Sequence, residues 1–499
     1  MNLKTLQPPG VFSVALATTL LVLSGCNAVQ ERPLMPGGNS AVDAQSWANL
    51  TFGTTSERKP VTLGYGNAAA LTKMVEAGMD VWSVDVKAKK AEGTLTEAQA
   101  LIAKNYGMSV AERPSGVMRM RADAGYRNYD QILARLRVLA SQGAAFGAEL
   151  VDIGDSWEKT QGKANRDIWA LHFSKGQGKP IVTFAGCHHA REIATPEMVL
   201  KMAEHLVENY GKDAEVTADV DNRDIWIVPL VNPDGHVLAV AGKDQRKNAN
   251  VKTGGKSRIG VDLNRNYATA WGTVGDSANP ESDVFRGASA FSEPETQAVR
   301  DLLTKHPPVI YLTYHAYSNA VMWPWDHKNA APPEPKLAAL GNQLGKLSGY
   351  EPYQGAEMYL NGGDDVDWVY DKFKTLSYTV EVGGSGDGFM PPSSRLPKFW
   401  NENRPMMLHA LKVADNPGAV FGPAMTVQTN RSGMSVSAPG AVKAEYFVGK
   451  PGIAGRGLPI ALTGTSAEMG IESATKQLVF VHAQDAKGIW GPFETIWSK

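Results

Sequence analysis

The chain has 499 residues, which is too long for one compact core and predicts about three domains. Hydrophobic residues make up 43% and charged residues 20%, an ordinary globular mixture that argues against a disordered chain or a polytopic membrane protein. A formal net charge of -1 without any basic run argues against a nucleic-acid partner. With Cys 2 in the whole chain, a disulfide scaffold is excluded, so any metal site must use histidine and carboxylate ligands.

The N-terminal segment has the features of an export signal. The apolar run Val11–Ser24 is too short to span a membrane, which takes about 20 apolar residues, and has the length of a signal-peptide core. It runs into the tetrad LSGC, which resembles the lipobox of bacterial lipoproteins. We therefore expect residues 1–26 to be a signal peptide and Cys26 to be lipidated. Cell-envelope anchoring follows, at the outer membrane if the host is Gram-negative, and Cys187 then has no disulfide partner.

Two short segments come next along the chain. Residues 27–62 are polar, with scattered Pro, Gly, Ser and Asn, which predicts a tether. Residues 63–115 are predicted to form a small α/β module. Its predicted helices are Ala68–Glu76 and Thr96–Asn105, with Thr96 as cap, and its predicted strands are Asp80–Val86 and Met108–Arg113. Two interpretations of this module remain open, a pro-region or docking module and a structural appendage.

The longest region, residues 120–415, alternates helical patterns with short apolar runs. Such runs predict a mixed, largely parallel sheet covered on both faces. The predicted strands are Asp167–Phe173, Ile181–Ala185, Ile225–Leu230, Val309–Tyr314 and Leu376–Val382, and the predicted helices are Asp130–Ala140 and Thr195–Tyr210. Thr195 is the expected N-cap of the second helix, with Pro196 at its first position.

The C-terminal region, residues 416–499, has no long helical pattern. Alternating runs such as Leu478–Ala483 and Phe493–Trp497 are separated by Gly, Ser and Asn turns, which predicts a small β-sandwich. Its ending, HAQDAKGIWGP, resembles the last strands of bacterial immunoglobulin-like modules.

Candidate metal ligands follow two of the predicted strands. His189 and Glu192 lie three residues apart in the loop after Ile181–Ala185, and His315 comes directly after Val309–Tyr314. Open α/β sheets build their sites beyond the C-terminal ends of such strands. Zinc accepts imidazole and carboxylate, and two histidines with one glutamate leave a coordination position open for water or substrate.

Two further carboxylates are candidates for the same site. Glu381 lies in an apolar strand, where a buried carboxylate is costly unless it has a partner. Asp262, in the segment GVDLNRN, can orient a zinc-ligating imidazole from behind, and a plain turn residue is the alternative.

Several motifs together resemble the zinc carboxypeptidases of the carboxypeptidase A type. In order they are HHARE, NPDG (Asn232–Gly235), QRKN (Gln245–Asn248), GVDLNRNY (Gly260–Tyr267), YHAYSN (Tyr314–Asn319), the stretch Tyr359–Trp368 and YTVEVG (Tyr378–Gly383). The resemblance implies an α/β fold, an α/β/α sandwich with a mixed eight-stranded sheet. It also implies a metallocarboxypeptidase with one Zn²⁺ per catalytic domain, and a monomer is expected.

The resemblance also implies roles for the metal-site residues. His189, Glu192 and His315 match the zinc ligands, and His188 is a neighbour, since the family places the ligand second in the doubled histidine. Glu381 matches the general base that deprotonates the attacking water and returns the proton to the leaving amine.

The substrate-binding roles follow from the same motifs. Arg246 matches the arginine that polarises the scissile carbonyl and stabilises the oxyanion. Asn264 and Arg265 match the pair that grips the free C-terminal carboxylate, which a guanidinium binds through two hydrogen bonds. Tyr359 matches the tyrosine that closes over this carboxylate, and Arg191 resembles an auxiliary subsite residue.

The preferred terminal residue depends on the alignment of the stretch before Trp368. In the family, the residue two positions before this tryptophan lines the base of the pocket for the last side chain, and here it is Val366. Val366 favours an apolar or aromatic terminal residue. A shift that places Asp364 or Asp365 there would favour terminal Lys or Arg instead.

The leading hypothesis is therefore a lipid-anchored, zinc-dependent metallocarboxypeptidase that acts on the C-termini of peptides or proteins. One alternative is a peptidase of the same fold that acts on murein peptides, which suits an envelope location. A second is a non-catalytic surface binding protein whose β domain grips a partner.

Overall fold

The computed structural model describes residues 57–114, 122–332, 334–430, 433–470 and 475–498. All of them belong to one compact unit, Ala48–Lys499. Cys26, the predicted signal peptide and most of the predicted tether lie outside the described residues. Within these ranges, no helix has the length and apolar character needed to cross a membrane.

The N-terminal module is a four-stranded antiparallel sheet with two helices. Its elements are β1 (Lys59–Gly64), α1 (Ala68–Glu76), β2 (Asp80–Asp85), β3 (Lys90–Leu95), α2 (Glu97–Asn105) and β4 (Ser109–Glu112), and the strand order is β2-β3-β1-β4. Thr96 caps α2 in a reciprocal pair of bonds with Gln99, as its position predicts. β1 begins inside the predicted tether, so the module starts earlier than expected. β3 was missed because its inward positions include Ala91 and Gly93, which carry little hydrophobic signal.

An eight-stranded mixed sheet forms the centre of the domain that follows the N-terminal module. Its strands are β5 (Ala148–Asp155), β6 (Asp167–Phe173), β7 (Ile181–Gly186), β8 (Asp224–Val228), β9 (Ile310–His315), β10 (Ala320–Trp323), β11 (Glu351–Gln354) and β12 (Leu376–Glu381), in the order β11-β10-β12-β9-β7-β8-β6-β5. The neighbouring strands β12, β9, β7 and β8 are parallel, whereas β6 is antiparallel to β8 and β10 to β12. The predicted mixed, largely parallel core of the sheet is confirmed.

Helices cover both faces of this sheet. They are α3 (Tyr129–Gly143), α4 (Trp157–Thr160), α5 (Ala194–Asn209), α6 (Ala214–Asn222), α7 (Pro233–Val240), α8 (Pro294–Lys305), α9 (Pro335–Ser348), α10 (Asp365–Phe373) and α11 (Leu396–Val413). Apolar residues of α3, α5, α9 and α11 form one buried cluster, and those of α8 and α10 form another on the opposite face. This arrangement confirms the predicted α/β/α sandwich.

The start of α5 differs from its prediction. The helix begins at Ala194, so Thr195 lies in its first turn and does not cap it. The Thr195 hydroxyl instead donates to the Glu192 carbonyl at 2.8 Å and accepts from the Cys187 amide at 3.1 Å. Pro196 also lies in the first turn, where a missing N–H costs no helical bond. Thr195 therefore joins the helix to the loop that carries the predicted metal ligands.

The C-terminal domain consists of two antiparallel sheets. Its strands are β13 (Thr426–Asn430), β14 (Gly433–Ser437), β15 (Ala441–Val448), β16 (Leu458–Ile460), β17 (Ser466–Met469), β18 (Leu478–Asp485) and β19 (Glu494–Trp497), in the orders β13-β14-β17 and β16-β15-β18-β19. Val436 of the first sheet packs in one apolar cluster with Val479 and Val481 of the second. The two sheets thus share a core, which confirms the predicted β-sandwich.

Candidate functional site

Three adjacent parallel strands bring the predicted catalytic residues to one edge of the sheet. β9 and β12 pair so that His315 lies directly opposite Glu381. β7 pairs with the other side of β9 and continues into the loop that holds His189 and Glu192. Residues far apart in the sequence therefore meet where the strands end, as the sequence predicts.

The three predicted metal ligands converge through specific atoms. His189 Nδ1 lies 2.8 Å from Glu192 Oε1 and 3.1 Å from His315 Nδ1, and His315 Nδ1 lies 3.2 Å from Glu192 Oε2. Burial opposes ionisation of Glu192, but the two histidines outweigh it and lower the pKa of this carboxyl. Two facing ring nitrogens and an ionised, buried carboxylate form a donor set that fits a zinc ion.

Asp262 links this group to the predicted oxyanion arginine. Its Oδ1 lies 3.2 Å from His189 Nε2, the ring nitrogen opposite the one in the ligand group. Its Oδ2 accepts from Arg246 Nη2 at 2.9 Å and from Arg246 Nε at 3.1 Å. The same aspartate accepts from the Asn264 amide at 3.0 Å, so it also caps the short 3₁₀ turn that follows. Asp262 therefore fills both of the roles predicted from the sequence. It caps the turn, and it contacts the His189 imidazole on the side away from the ligand group.

Glu381 faces the ligand group from β12. It lines the same cleft as His189, Glu192 and His315, and its Oε2 has no hydrogen-bond partner among the described residues. Burial, together with the nearby Glu192 carboxylate, raises the pKa of Glu381 to about 7. The side chain is thus a half-buried carboxyl group whose shielded Oε2 is unpaired and has an affinity for a proton, which suits a general base.

The predicted carboxylate-binding residues lie in this cleft as well. Arg265 donates from Nη1 to the Asn264 carbonyl at 2.6 Å, from Nε to the Gly275 carbonyl at 3.1 Å and from Nη2 to the Tyr359 hydroxyl at 3.3 Å. Asn264 Oδ1 accepts from the Asp365 amide at 2.9 Å. These contacts orient an arginine, an asparagine and a tyrosine around one wall of the cleft, which also includes Arg246.

His188 does not belong to the ligand group with His189. Its Nε2 lies 2.9 Å from the Tyr267 hydroxyl, and its Nδ1 lies 3.3 Å from the Thr313 hydroxyl. Burial lowers the pKa of His188 to about 4, so the ring is neutral near pH 7. The prediction that His188 is a neighbour of the site agrees with these contacts, and Tyr267 is a supporting residue that the sequence reasoning did not identify.

Arg191 contacts the N-terminal module. Its guanidinium binds Asp80 through Nη2–Oδ1 at 2.6 Å and Nη1–Oδ2 at 2.9 Å, and Nη1 also donates to Asp244 at 3.1 Å. The predicted subsite residue is therefore buried and ion-paired in this structure, and its Nε has no partner among the described residues. No sequence signal marked Asp80, because a carboxylate at the start of a strand is ordinary.

Strand β2 of the module lines part of the cleft. Residues 81–84 share the cleft with His189, Arg265 and Glu381. The Val84 amide donates to the Ser318 hydroxyl at 3.2 Å, three residues after His315. The module therefore forms part of the wall of this cleft.

Val366 does not line the cleft, contrary to its predicted role at the base of the specificity pocket. It is 1% exposed and packs with Tyr267 and Trp368 in the apolar cluster between α10 and the sheet. α10 begins at Asp365, and its first turn directs Val366 towards the sheet. The alignment of motifs predicts the position along the chain but not this orientation.

The two alternative pocket residues are also placed elsewhere. Asp364 caps α10 by accepting from the Asp367 amide at 2.8 Å, and Asp365 accepts from the Tyr311 hydroxyl at 2.8 Å. Neither lines the cleft. The carboxylate that does, besides Glu192 and Glu381, is Asp326, which the sequence reasoning did not single out.

Comparisons with known proteins agree with this geometry. The sequence profile described as zinc carboxypeptidase matches residues 142–406. Carboxypeptidase A2 of Mus musculus is 30% identical over 281 residues, which is 54% of this chain and 66% of that protein. Metallocarboxypeptidase A of Arthroderma otae is 30% identical over 377 residues, which is 66% of this chain and 86% of the relative. Carboxypeptidase B of Bos taurus is 32% identical over 242 residues, which is 46% of this chain and 58% of that protein.

Solved structures share the fold. Carboxypeptidase A from Helicoverpa armigera superposes with a TM-score of 0.61 and 23% identity, over 73% of this chain and 99% of that chain. Thrombin-activatable fibrinolysis inhibitor superposes with a TM-score of 0.59 and 21% identity, over 72% of this chain and 100% of that chain. These similarities confirm the eight-stranded sandwich.

Proposed function

The chain belongs to the zinc carboxypeptidase family, and from this premise we propose that it hydrolyses the last peptide bond of peptides or proteins. Family membership confirms the resemblance predicted from the sequence, and with it the metallocarboxypeptidase class. One observation carries the proposal. The carboxylate-binding pair Asn264 and Arg265 lines the same cleft as the ligand group and Glu381.

His189, Glu192 and His315 would hold one zinc ion in this cleft. When bound, the ion supplies Lewis acidity that assists attack on a carbonyl. Asp262 holds the far ring nitrogen of His189, which selects the tautomer that leaves Nδ1 free for the metal. The family is zinc-dependent, and the single ion per domain is part of our proposal.

Glu381 moves the proton in the proposed reaction. Its free Oε2 accepts a proton from the water that attacks the scissile carbonyl, and later donates it to the amine that leaves. Arg246 lies beside His189, with Nη1 3.3 Å from its Nδ1, so it can stabilise the oxyanion that develops on the carbonyl.

Exopeptidase selectivity requires recognition of the chain end. Arg265, together with Asn264, binds the free carboxylate of the last residue, and the Tyr359 hydroxyl lies beside the same guanidinium. This set suits an ordinary C-terminal carboxylate, so it favours peptides and proteins over murein peptides as substrates.

This function is tested with two forms of one peptide, the first with a free C-terminal carboxylate and the second with a C-terminal amide. The zinc-loaded protein should release one residue from the free acid and none from the amide, and a chelator should abolish the release until zinc is restored. Glu381→Gln should keep its zinc and lose at least about 10³-fold in kcat, whereas Glu149→Gln, at an exposed position of strand β5, should be unaffected. Cleavage of the amide, or full activity of Glu381→Gln, would refute the proposal.

We further propose that residues 59–112 act as a pro-region that restricts access to the cleft. Support comes from the Asp80 contacts with Arg191 and from two hydrogen bonds to loops of the catalytic domain. The Val84 amide donates to Ser318 at 3.2 Å, and the Leu360 amide, next to Tyr359, donates to the Thr72 hydroxyl at 2.8 Å. The module therefore contacts residues on both sides of the cleft.

The proposed location is the cell envelope, through a lipid on Cys26. The LSGC tetrad in the sequence supports this proposal. Metabolic labelling with a fatty-acid analogue should mark the wild-type protein, and Cys26→Ser should remove the label and release the protein from the membrane fraction. A label that persists in Cys26→Ser would refute the anchor.

A further inference from the structure

Alternate residues of β9 form a buried polar row that ends at the predicted metal ligand His315. Tyr311, Thr313 and His315 are spaced two residues apart, and successive side chains of a strand point to opposite faces, so these three share one face of the sheet. All three are buried. Their polar groups are shielded from water and therefore need partners within the protein.

The threonine in the middle of this row lies behind the ring of His315. Nδ1 of His315 faces the ligand group, 3.2 Å from Glu192 Oε2, whereas Nε2 lies 3.4 Å from the Thr313 hydroxyl. A ring that offers Nδ1 to a metal carries its proton on Nε2, so Nε2 donates to the threonine oxygen. Thr313 thus has the position behind His315 that Asp262 has behind His189.

His188 extends this contact to a carboxylate. Its Nδ1 lies 3.3 Å from the Thr313 hydroxyl, and its Nε2 lies 2.9 Å from the Tyr267 hydroxyl and 3.5 Å from Asp365 Oδ2. Because the Thr313 oxygen accepts from His315, its own proton is donated to His188 Nδ1. The ring proton of His188 then lies on Nε2, on the side of Asp365. The donors and acceptors are therefore consistent along the whole chain of contacts.

Asp365 is the carboxylate at the end of this chain. It is fully buried, and its Oδ2 accepts from the Tyr311 hydroxyl at 2.8 Å. Within the described ranges, its single ion-pair contact is with His188. Asp364 and Asp365 each have one oxygen without a partner among the described residues, so the contact with His188 is what distinguishes Asp365. Burial of a carboxylate with so few donors is costly, which indicates a role beyond packing.

The backbone of Asp365 contacts the substrate side of the same site. Its amide donates to Asn264 Oδ1 at 2.9 Å, and Asn264 lines the cleft. A carboxamide whose oxygen is held in this way can still donate from its NH₂ group. Asp365 therefore contacts Asn264 through its amide and, through His188 and Thr313, supports His315.

We propose that His188 and Asp365 are positioning residues that orient the His315 imidazole for zinc and strengthen it as a ligand. Hydrogen bonds in a chain polarise one another, so the negative charge of Asp365 increases the electron density on His315 Nδ1. This inference rests on the ligand set of the proposed function and adds a support that acts through His315. Loss of the charge, or a break in the chain, should weaken zinc binding.

Asp365→Asn tests the charge at the end of the chain. Asparagine has nearly the shape of aspartate, and the backbone amide that holds Asn264 is unchanged. Zinc affinity of the full chain is measured by competition with a chelator of known affinity, and it should fall about 10-fold or more in this variant.

Asp364→Asn is the matched control. It removes the neighbouring buried carboxylate, while asparagine keeps the cap of α10. Its zinc affinity should differ from that of the wild type by less than about 3-fold, because Asp364 is not part of the chain that leads to His315. A loss as large as that of Asp365→Asn would overturn the proposal, since any nearby charge would then suffice.

A double-mutant cycle tests whether the two residues act through one chain. Asparagine at position 188 keeps a polar atom near Thr313 but is too short to reach Asp365. His188→Asn should therefore lose about as much zinc affinity as Asp365→Asn, and the double variant should lose little more than either one. Losses that multiply in the double variant would show two independent effects and refute the chain.

The Co²⁺-loaded protein provides a readout that a purely structural role would not change. Its visible absorption reports the geometry around the metal, so the spectrum should change in Asp365→Asn and stay the same in Asp364→Asn. An unchanged spectrum together with an unchanged zinc affinity in Asp365→Asn would refute the proposal.

The stoichiometry of zinc excludes one other arrangement. His188, His315 and Asp365 also lie close enough together to hold a metal ion themselves. One zinc per chain in both the wild type and Asp365→Asn supports the positioning role, whereas two ions in the wild type and one in the variant would overturn it. These measurements need no peptide, so a zinc-binding protein that cleaves no peptide would refute the proposed function and leave this inference intact.

Discussion

Asp80 and Arg191 join the N-terminal module to the catalytic domain through two parallel hydrogen bonds of 2.6 and 2.9 Å. Their side chains are only 4% and 1% exposed. Because water is excluded, each charge depends on the other for its stability. The contact also occupies the arginine to which the family resemblance gives a role in substrate binding.

Asp80→Asn should therefore raise the activity of the intact chain. Loss of one partner of a buried ion pair weakens docking, although Asp244 still contacts Arg191. We expect the initial rate of the untreated protein to rise by about 10-fold or more, which corresponds to about 1.4 kcal/mol of docking free energy. Rates are compared before and after trypsin treatment, which should raise the wild-type rate more than the rate of the variant.

Lys87→Gln is the control for this prediction. Lys87 also pairs across the same interface, with Glu351, but the two side chains are 75% and 41% exposed. Exposed pairs contribute little, so this variant should change the rate by less than about 3-fold. If Asp80→Asn behaves like Lys87→Gln, the buried pair does not hold the module over the cleft.

Because of the ion pair between Asp80 and Arg191, we expect the N-terminal module to stay docked in mild acid. Burial opposes ionisation of Asp80, but the Arg191 guanidinium outweighs it and lowers the pKa of Asp80 below its ordinary value of 3.8. A carboxyl whose pKa is lowered in the docked state stabilises docking above that ordinary value, and this contribution is lost as the pH falls below it. Docking should thus be unchanged between pH 8 and 5 and weaken below about pH 4.

Hydrogen exchange of the Val84 amide measures this dependence, since that amide donates to Ser318 across the interface. Its protection, corrected for the intrinsic pH dependence of exchange, should stay constant from pH 8 to 5. Asp80→Asn should be less protected throughout that range. Loss of protection near pH 6 in the wild type would indicate that a histidine, and not Asp80, controls docking.

Strand ends, ligand spacing and chain order made the catalytic centre predictable. His189, Glu192, His315 and Glu381 each lie at or just after an apolar run, and parallel strands must end at a common edge. The start of α5 was misplaced because Thr195 bonds backwards to the loop rather than forwards to the helix. Local spacing cannot distinguish these two uses of a threonine hydroxyl.

The lining of the cleft was harder to predict because it depends on side-chain direction. Val366 and Asp326 lie on different segments, and only the fold shows that the first points into an apolar cluster and the second into the cleft. The role of Asp80 could not be predicted from the sequence for a similar reason, because its partner Arg191 is far away along the chain. Contacts between domains leave no periodic pattern in either segment.

Asp262→Asn should weaken zinc binding. Asparagine keeps the cap of the 3₁₀ turn but replaces the charged contact to His189 Nε2, and it weakens the bonds that hold Arg246. Loss of such a supporting contact typically costs 10–100-fold in metal affinity. Zinc affinity is measured by competition with a chelator of known affinity.

Asp276→Asn provides the comparison for Asp262→Asn. Asp276 is another largely buried aspartate, 4% exposed, whose partner Arg286 lies outside the cleft. Zinc affinity should be unchanged in that variant. An Asp262→Asn protein that binds zinc as tightly as the wild type would show that the aspartate serves the turn alone.

Lys412→Met should loosen the C-terminal β-sandwich without affecting the cleft. Lys412 of α11 lies 2.8 Å from Glu215 of α6 and 3.0 Å from Glu494 of β19, and its side chain is 14% exposed. Its removal leaves two carboxylates close together in a partly buried place, with side chains 32% and 28% exposed, which costs about 1–3 kcal/mol. Urea unfolding should show the loss, while kcat/KM of the folded protein stays the same.

Two further variants make the test of Lys412 specific. Lys398→Gln removes a lysine from the same helix, but one whose pair with Glu402 is partly exposed, so it should cost less than about 1 kcal/mol. Adding Glu494→Gln to Lys412→Met should recover part of the stability, because one of the two uncompensated charges is gone. If both lysine variants unfold at the same urea concentration, the ion pairs do not stabilise the domain contact, and apolar packing of Ala218 against Phe480 must account for it.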